Sequence, residues 1–421
     1  MKYIVYIEKE GKPVKVGIME GTDHNDVIFT YDSAYLESPS AVALSLSLPI
    51  EEVTFDPVRT RTFFNGMLPE GFIRHSLADR MHIDENDYVS ILRNLGRECI
   101  GAVRIAVEDD ASSEEYIPID QSEIEQLAAE GAAKSTEIVT RTHRSLAGAS
   151  GKVGLYYDQG SNKWYLPLGT APSTHIVKQS HVRLAGIVTN ERLSMLTASK
   201  CGIDTAESFI INTGSATESE VLYATKRYDR IFTEASEKIG TLLRPFRLHQ
   251  EDFAQAIGIA SSNKYEKEED HYLPMMFELL RDYSADPIVD QQKLWDRVVF
   301  NYLIGNTDAH IKNFSLLYSP DMRSIRLAPA YDIVSTAVYE SSTREMSMKI
   351  GQNINIDEVT EESFEQASSD IGLGRNLAMS RYDLMLDKFE ISLREAANEL
   401  NEEGFATAID LCEKILGRLS L

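Results

Sequence analysis

The sequence predicts an α+β protein with a β-rich first half and a mostly helical second half. Three observations lead to this fold class. Apolar residues alternate with polar ones through residues 1–50, and β-like patterns return from about 145 to 230. From about residue 250 onward, apolar residues recur at helical spacing. The chain has 421 residues, which suits two or three domains or one large two-lobed unit.

The first half is expected to begin with a β-hairpin that turns at Glu10-Gly11-Lys12-Pro13. Helical spacing predicts helices within residues 70–95, and a strand is expected at residues 100–107. Residues 108–140 look like a boundary, with one short helix at residues 121–130. A single helix at residues 190–200 interrupts the second β-rich region.

The second half is expected to hold an amphipathic helix that ends at Gly305. The apolar face of this helix is formed by Leu294, Val298, Val299 and Leu303. One β interruption should follow, with strands at residues 314–318 and 325–327 around a turn at Ser319-Pro320-Asp321. Residues 380–421 are again expected to be helical.

Composition argues against several function classes. The formal net charge is 42 − 66 = −24, which opposes non-specific binding to nucleic acid. The three cysteines, Cys99, Cys201 and Cys412, match no zinc spacing and do not suggest a disulfide framework. The N-terminus lacks the features of a signal peptide, and no apolar run reaches about 18 residues. We therefore expect a cytoplasmic protein without a membrane span.

The strongest chemical pattern runs from Gly305 to Asp332. A helix stops at the glycine, a polar loop carries Asp308 and Asn313, a hairpin follows, and Asp332 comes after it. Phosphoryl transfer needs a carboxylate that orients a hydroxyl nucleophile, and oxygen ligands that hold magnesium on the phosphates. Asp308 and Asn313 have the Asp-x-x-x-x-Asn offset of a kinase catalytic loop. Each aspartate alone could cap a turn, but the order of all three residues favours a kinase.

Two further patterns suit nucleotide phosphates. The small residues from Ser145 to Lys152 could present backbone N–H groups to phosphate, although the loop is not a Walker A loop. Lys178 lies on a predicted strand downstream, where a kinase places the lysine that holds the α- and β-phosphates. The alternative for the loop from Ser145 to Lys152 is a tight β-turn, and the alternative for Lys178 is a solvated surface lysine. Glu191 could pair with Lys178 or could favour a helix N-terminus for dipole reasons.

Taken together, these patterns resemble the HipA family of bacterial toxin serine/threonine kinases. The resemblance covers most of the chain and rests on several blocks in a fixed order. The blocks are residues 63–71 (Phe-Phe-Asn-Gly-Met-Leu-Pro-Glu-Gly), 95–102, 145–152, 173–178, 226–230, 249–253 with Lys264-Tyr265, and 308–332. Each block alone would be weak, and their number makes the resemblance specific.

The resemblance implies a two-lobed, protein-kinase-like fold of the broad phosphoinositide-kinase-like architecture. It predicts a β-rich N-lobe and a mostly helical C-lobe. The implied domains are an N-terminal subdomain at residues 1–108, the rest of the N-lobe with the phosphate loop at 109–229, and the C-lobe at 230–421.

The resemblance also implies a role for each matching residue. Asp308 matches the catalytic base, and Asn313 and Asp332 match the ligands of Mg²⁺. The implied ATP contacts are Ala147, Gly148, Ala149, Ser150, Gly151, Lys152, Lys178, the hinge residues Lys226, Arg227 and Tyr228, and His310, Lys312, Asn313, Tyr331 and Asp332. Ser145 matches the serine that family members autophosphorylate. Ser150 stands where glutamine is expected and is a second candidate.

The implied partners are a small helix-turn-helix antitoxin of the HipB type and a protein substrate, typically the glutamyl aminoacyl-tRNA synthetase. The stretch Asn355-Ile-Asp-Glu358 lacks the basic residues expected in a member that helps its antitoxin to grip DNA. We therefore expect contact with DNA only through the antitoxin.

Two other functions stay open at the level of sequence. A small-molecule or lipid kinase on the same scaffold would use identical catalytic residues. A nucleotide-binding pseudo-kinase could serve as the partner of a repressor, but the intact Asp308, Asn313 and Asp332 argue against it.

Overall fold

The computed structural model of the protein describes residues 1–107, 113–143, 146–147, 151–179, 184–213 and 218–419. The chain forms two compact units and passes through each of them more than once. The described parts of Met1–Gln179, Ala224–Ser261 and Leu316–Ile325 form the first unit, and those of Ser180–Tyr223, Ser262–Ser315 and Arg326–Leu421 form the second. The predicted domain limits near residues 108 and 229 divide the chain by sequence and stay a prediction.

The first unit begins with an antiparallel sheet of five strands. They are β1 (Lys2–Lys9), β2 (Lys12–Glu20), β3 (Ile28–Tyr31), β4 (Thr54–Phe55) and β5 (Val103–Ala106), in the order β4-β3-β2-β1-β5. Val5 and Ile7 are fully buried, because alternate residues of a strand face the same side. The predicted hairpin at residues 10–13 and the strand within residues 100–107 are confirmed as β1–β2 and β5.

Four helices lie between β3 and β5 in the chain. They are α1 (Ser33–Leu36), α2 (Pro57–Asn65), α3 (Gly71–Met81) and α4 (Tyr88–Leu95). Aspartate side chains cap two of them, because Asp56 accepts from the first N–H groups of α2 and Asp87 accepts from Ser90 N in α4. The helices predicted within residues 70–95 are confirmed as α3 and α4.

A second antiparallel layer of the first unit follows. Its elements are β6 (Glu114–Pro118), α5 (Gln121–Glu130), α6 (Ala132–Thr142), β7 (Lys152–Asp158), β8 (Lys163–Gly169) and β9 (His175–Gln179). The four strands lie in the order β9-β7-β8-β6. The helix predicted at residues 121–130 is confirmed as α5, where Asp120 and Glu123 form a capping box. Helix α6 was not predicted.

The next segment holds α7 (Ile187–Lys200), β10 (Ser208–Ile211) and β11 (Leu222–Lys226). Helix α7 confirms the helix predicted at residues 190–200. Short elements follow in the first unit: β12 (Arg230–Ile231), β13 (Lys238–Ile239), β14 (Leu242–Leu243), β15 (Phe246–Arg247), β16 (Gln250–Asp252) and α8 (Phe253–Ile257). Strand β12 pairs with β15, and β13 pairs with β14.

Helices dominate the rest of the chain. The elements are α9 (Tyr272–Tyr283), α10 (Pro287–Ile304), β17 (Ser315–Tyr318), β18 (Ile325–Leu327), β19 (Glu345–Ile350), β20 (Asn353–Asn355), α11 (Glu361–Asp370), α12 (Arg375–Glu402) and α13 (Thr407–Leu419). The helix before Gly305 and the hairpin β17–β18 are confirmed. The expectation of a single β interruption is wrong, because β19 and β20 form another hairpin.

The core of the second unit is aromatic. Trp295 on α10 is fully buried, and its indole N–H donates to the backbone oxygen of Ala378 on α12 at 2.9 Å. Phe300 on the same helix packs edge-on against Phe389 of α12. The predicted fold class, with sheets in the first half and helices in the second, is confirmed. Within the described residues, no helix combines the length and the apolarity that a membrane crossing requires.

Candidate active site

The loop that carries Asp308 starts where α10 ends. Gly305 ends the helix in the left-handed conformation, with a φ of 79°. An added Cβ there would lie 3.0 Å from Nε of Arg418 and 3.1 Å from Cβ of Ala337, so a side chain would be strained and crowded. Arg418 donates to the backbone oxygens of Tyr302 and Leu303 and thereby satisfies the last carbonyls of α10.

Asn306 fixes the backbone of this loop through side-chain hydrogen bonds to Asn301 before it and Asp308 after it. Its amide Nδ2 donates to Oδ1 of Asn301 on α10 at 2.8 Å, and its Oδ1 accepts from the N–H of Asp308 at 3.1 Å. Asn301 and Asn306 are both buried. The backbone position of Asp308 is therefore set by a buried amide pair that begins on a rigid helix.

Thr307 is the second anchor of the loop. Its N–H donates to Oγ1 of Thr336 at 2.7 Å. Its carbonyl accepts from both the N–H and the hydroxyl of Ser347 on β19, at 2.9 and 2.8 Å. Thr307 is buried, whereas Asp308 next to it is exposed. The loop thus presents one accessible carboxylate on a fixed backbone.

Asn313 is tied to Asp308 directly. Its Nδ2 donates to the backbone oxygen of Asp308 at 3.0 Å, and its N–H donates to the oxygen of His310 at 2.8 Å. Because a carbonyl accepts only from a donor, the amide nitrogen of Asn313 faces Asp308. The amide oxygen is then the atom that Asn313 can offer to a cation.

Asp332 has a strained backbone that is held from both sides. Its φ is 56°, a conformation that residues other than glycine adopt rarely. On one side, the Tyr331 hydroxyl contacts Oγ of Ser315 at 2.6 Å and donates to the oxygen of Lys312 at 2.9 Å. On the other side, the Asn190 side chain binds the backbone N–H and oxygen of Ser335 at 3.0 and 2.9 Å.

The structure brings the predicted residues of the second unit together. Asn313, Tyr331 and Asp332 line one narrow cavity of about 10 Å³, which is the size of one water molecule. His310 and Lys312 are buried on the same loop. One carboxylate and one amide oxygen match the few protein ligands with which Mg²⁺ is held beside substrate phosphates. No cluster of three or more His, Cys, Asp or Glu suits a metal among the described residues, and a kinase site of Asn and Asp does not require one.

Part of the predicted phosphate loop can be located in the first unit. Gly148, Ala149 and the two predicted modification sites Ser145 and Ser150 lie outside the described residues, while Ala147 is half-buried. A Cβ on Gly151 would lie 2.0 Å from Nε2 of Gln179, so a larger residue there would require the Gln179 side chain to move.

Lys152 and Lys178 are directly opposite each other in the antiparallel pair β7–β9. Opposed residues of neighbouring strands point to the same face, and like charges in such pairs are unfavourable. Lys178 is buried and Lys152 is half-buried. The structure therefore brings the two predicted phosphate-binding lysines together.

The predicted hinge, Lys226 to Tyr228, follows β11. The side chain of Arg227 is buried and donates twice to Asp229, at 2.9 and 2.7 Å. The Tyr228 hydroxyl donates to the side chain of Gln250. The guanidinium of Arg227 and the hydroxyl of Tyr228 are therefore engaged within the protein, and the contacts of both residues with ATP stay a prediction. Glu191, the suggested partner of Lys178, is buried on α7 of the second unit.

Several site residues carried no predicted role. Hydrogen bonds of Asn301, Asn306, Thr336 and Asn190 hold the segments that carry Asp308 and Asp332. The Tyr265 hydroxyl contacts the carboxylate of Asp308. The signal for Asn301 was a polar residue beside the apolar face of a predicted helix. For Thr336 and Asn190, the sequence offered no signal.

Comparisons with known proteins agree with the resemblance. Residues 144–393 match the family described as "HipA-like C-terminal domain", and residues 9–106 match "HipA N-terminal domain". "Putative kinase Y4mE" of Sinorhizobium fredii is 31% identical over 422 residues and covers 96% of each chain. "Serine/threonine-protein kinase toxin HipA" of Shewanella oneidensis is 26% identical over 353 residues, which is 81% of this chain and 78% of the relative.

A solved structure shares the fold. It is HipA of Shewanella oneidensis MR-1, solved in complex with HipB and its operator DNA. The TM-score is 0.80 at 22% identity, and the match covers 98% of this chain and 96% of the other. This likeness confirms the predicted kinase-like fold class. The two matched family models cover most of the chain, and the alignment with "Putative kinase Y4mE" covers nearly all of it. The protein therefore belongs to the HipA family.

Proposed function

We propose that this protein is an ATP-dependent serine/threonine kinase and the toxin of a toxin–antitoxin module. The observation that carries the proposal is the loop in which a fixed backbone presents the exposed Asp308 next to Asn313, which lines a cavity together with Asp332. This is the arrangement that phosphoryl transfer needs, because the protein contributes positioning and charge stabilisation and little covalent chemistry. The kinase names of the relatives support the same activity.

Asp308 acts as the catalytic base in this proposal. It accepts the proton of a serine or threonine hydroxyl while the hydroxyl oxygen bonds to the γ-phosphorus of ATP. The bond from this phosphorus to the β–γ bridging oxygen breaks, and ADP leaves. Asn313 and Asp332 would hold a magnesium ion, which would supply positive charge to stabilise the phosphates during transfer.

Lys178 and Lys152 bind the phosphates of ATP. Their opposed positions on β7 and β9 place two positively charged side chains on one face of the sheet, which favours an anion there. Gly151 and the small residues before it add backbone N–H groups. Lys226, together with the backbone of Arg227 and Tyr228, is proposed to contact the adenine, and His310, Lys312 and Tyr331 complete the nucleotide site.

The proposed antitoxin is supported by a relative, and the proposed substrate comes from the resemblance to the HipA family. The solved complex of HipA, HipB and operator DNA supports a small helix-turn-helix antitoxin as the partner. An aminoacyl-tRNA synthetase of the glutamyl type is the proposed substrate, and Ser145 or Ser150 the proposed site of autophosphorylation. A net charge of −24 favours contact with DNA only through the antitoxin, and we place the activity in the cytoplasm.

The proposal is tested by incubating the purified chain with Mg-ATP and dephosphorylated casein. We expect ADP release that EDTA abolishes, with phosphoserine or phosphothreonine on casein and phosphate on Ser145 or Ser150 by mass spectrometry. Phosphate on phosphatidylinositol vesicles but on no protein would instead indicate a lipid kinase. Binding of Mg-ATP without any ADP release would indicate a pseudo-kinase.

A further inference from the structure

Tyr265 is a half-exposed aromatic residue beside the predicted base. It lies between β16 and α9 in the chain, and 49% of it is exposed. Its hydroxyl donates to Oδ1 of Asp308 at 3.1 Å. Its ring lies edge-on to the ring of His310, with 5.7 Å between the centroids.

Ser347 on β19 hydrogen-bonds to the backbone beside both Asp308 and Tyr265. The N–H and hydroxyl of Ser347 donate to the carbonyl of Thr307, the residue before Asp308. The carbonyl of Ser347 accepts from the N–H of Glu266, the residue after Tyr265, at 2.9 Å. Tyr265 and Asp308 are therefore each one residue away from the same point on β19.

The Glu266 side chain strengthens this attachment. Its carboxylate accepts from the N–H of Lys349 on β19 at 2.6 Å and from the N–H of Tyr272 at the start of α9 at 3.2 Å. Two elements thus fix the backbone next to Tyr265. The contact between Tyr265 and Asp308 is therefore made from a backbone that hydrogen bonds hold in place.

The geometry points to Tyr265 as a positioning residue for the base. This inference rests on the proposed function, because it gives Tyr265 a role only through Asp308. A carboxylate has two oxygens, and a hydrogen bond to Oδ1 restricts the rotation of the group. The carboxylate is then held in one orientation for the approach of the substrate hydroxyl. Precise orientation of this kind raises the rate of the chemical step more than it raises affinity.

The test compares Tyr265→Phe with wild type and with a matched control, Tyr283→Phe. Tyr283 is exposed to a similar extent, 54%, at the end of α9. We expect Tyr265→Phe to lower kcat for phosphorylation of casein about tenfold, with the KM for ATP unchanged. The melting temperature should stay that of wild type, because an exposed hydrogen bond contributes little to stability. Tyr283→Phe should behave as wild type throughout.

Two results would overturn the inference while the proposed function stands. If Asp308→Asn is inactive and Tyr265→Phe keeps the wild-type kcat, the hydroxyl does not position the base. If Tyr265→Phe is faster than wild type, the hydroxyl instead occupies the place of the substrate. A wild-type protein without turnover, or an active Asp308→Asn, would remove the proposed function and this inference with it.

Discussion

Two polar clusters of this protein use opposite designs. In the first unit, buried charges are paired with one another: Arg227 and Arg230 bind Asp229 at 2.7 and 2.9 Å, and Arg230 binds Glu98 at 3.0 Å. In the second unit, neutral amides and hydroxyls fix the backbone around Asp308, whose carboxylate is exposed.

The two clusters differ in the burial of their central carboxylate, which is buried in Asp229 and exposed in Asp308. Burial alone would raise the pKa of Asp229, but Arg227 and Arg230 hold that pKa well below its usual range. A carboxylate paired in this way is unable to accept a proton from a substrate near neutral pH. Around Asp308, uncharged amides and hydroxyls fix the backbone and the carboxylate is exposed, which suits a group that has to take up a proton.

The largest effect on stability is expected for Asp229→Ala. The change leaves Arg227 and Arg230 buried with less negative charge, and breaking such a network typically costs about 3–5 kcal/mol. Urea denaturation followed by circular dichroism measures this loss. The control is Asp387→Ala on the exposed face of α12, with a change within about 0.5 kcal/mol. A loss below about 1 kcal/mol for Asp229→Ala would contradict the structural role of the cluster.

Glu251 extends the comparison, because its buried carboxyl accepts hydrogen bonds from two hydroxyls and one backbone N–H and, among the described residues, from no arginine. Burial raises the pKa of Glu251 from 4.5 to about 7, although Ser45, Tyr318 and the N–H of Leu46 donate to it and oppose the shift. A carboxyl whose folded pKa is raised stabilises the fold below its unfolded pKa. This contribution is lost as the pH rises from about 4.5 to about 7.

Glu251→Gln removes this dependence, because the amide does not ionise. Relative to wild type, the variant should gain roughly 3 kcal/mol between pH 4.5 and pH 8. Thermal unfolding at both pH values measures the gain, with the exposed Glu361→Gln as the control. Parallel curves for wild type and Glu251→Gln would show that the carboxyl stays ionised across this range.

Lys178→Met tests the phosphate-binding lysines of the first unit. The change keeps the length of the side chain and removes its charge, so it should weaken Mg-ATP about tenfold, or about 1.4 kcal/mol. Calorimetric titration gives the affinity. Lys163→Met, on the exposed start of β8, is the control. Equal Mg-ATP affinities for Lys178→Met and Lys163→Met would show that Lys178 does not bind the phosphates.

The smallest change in stability is expected for Asp332→Gly. Glycine adopts a φ of 56° without strain, so the variant should be as stable as wild type or more stable by about 0.5 kcal/mol. Its affinity for Mg-ATP should nevertheless fall, because a metal ligand is lost. Thermal unfolding and calorimetry on the same sample separate the two effects. Reduced stability with unchanged affinity would place Asp332 among the structural residues.

The sequence predicted the elements that carry strong local signals. The β1–β2 hairpin, α5 and the end of α10 at Gly305 have turn, cap and helix-stop residues at fixed offsets. Helix α6 was missed because residues 131–142 lack a wide apolar stripe. The β19–β20 hairpin was missed because Gly351-Gln352 was not read as a turn inside a mostly helical region.

The residues of the candidate site likewise fall into those with a local sequence signal and those without one. Asp308, Asn313 and Asp332 follow from residue type and spacing, so the sequence could suggest them. The distant residues that hold these segments could not be predicted, because Tyr265 is 43 positions from Asp308 and Asn190 is 145 positions from Ser335. Such pairs are made by tertiary packing, and no local pattern encodes them.

The central claim is that Asp308 is the base of a phosphoryl transfer on a backbone that neutral groups hold in place. Asp308→Asn tests it most directly, with Asp387→Asn as the control and two measurements on the same protein. The account predicts unchanged Mg-ATP affinity and melting temperature, with phosphorylation of casein reduced by about 10²–10⁴-fold. Near-wild-type phosphorylation by Asp308→Asn would contradict the account.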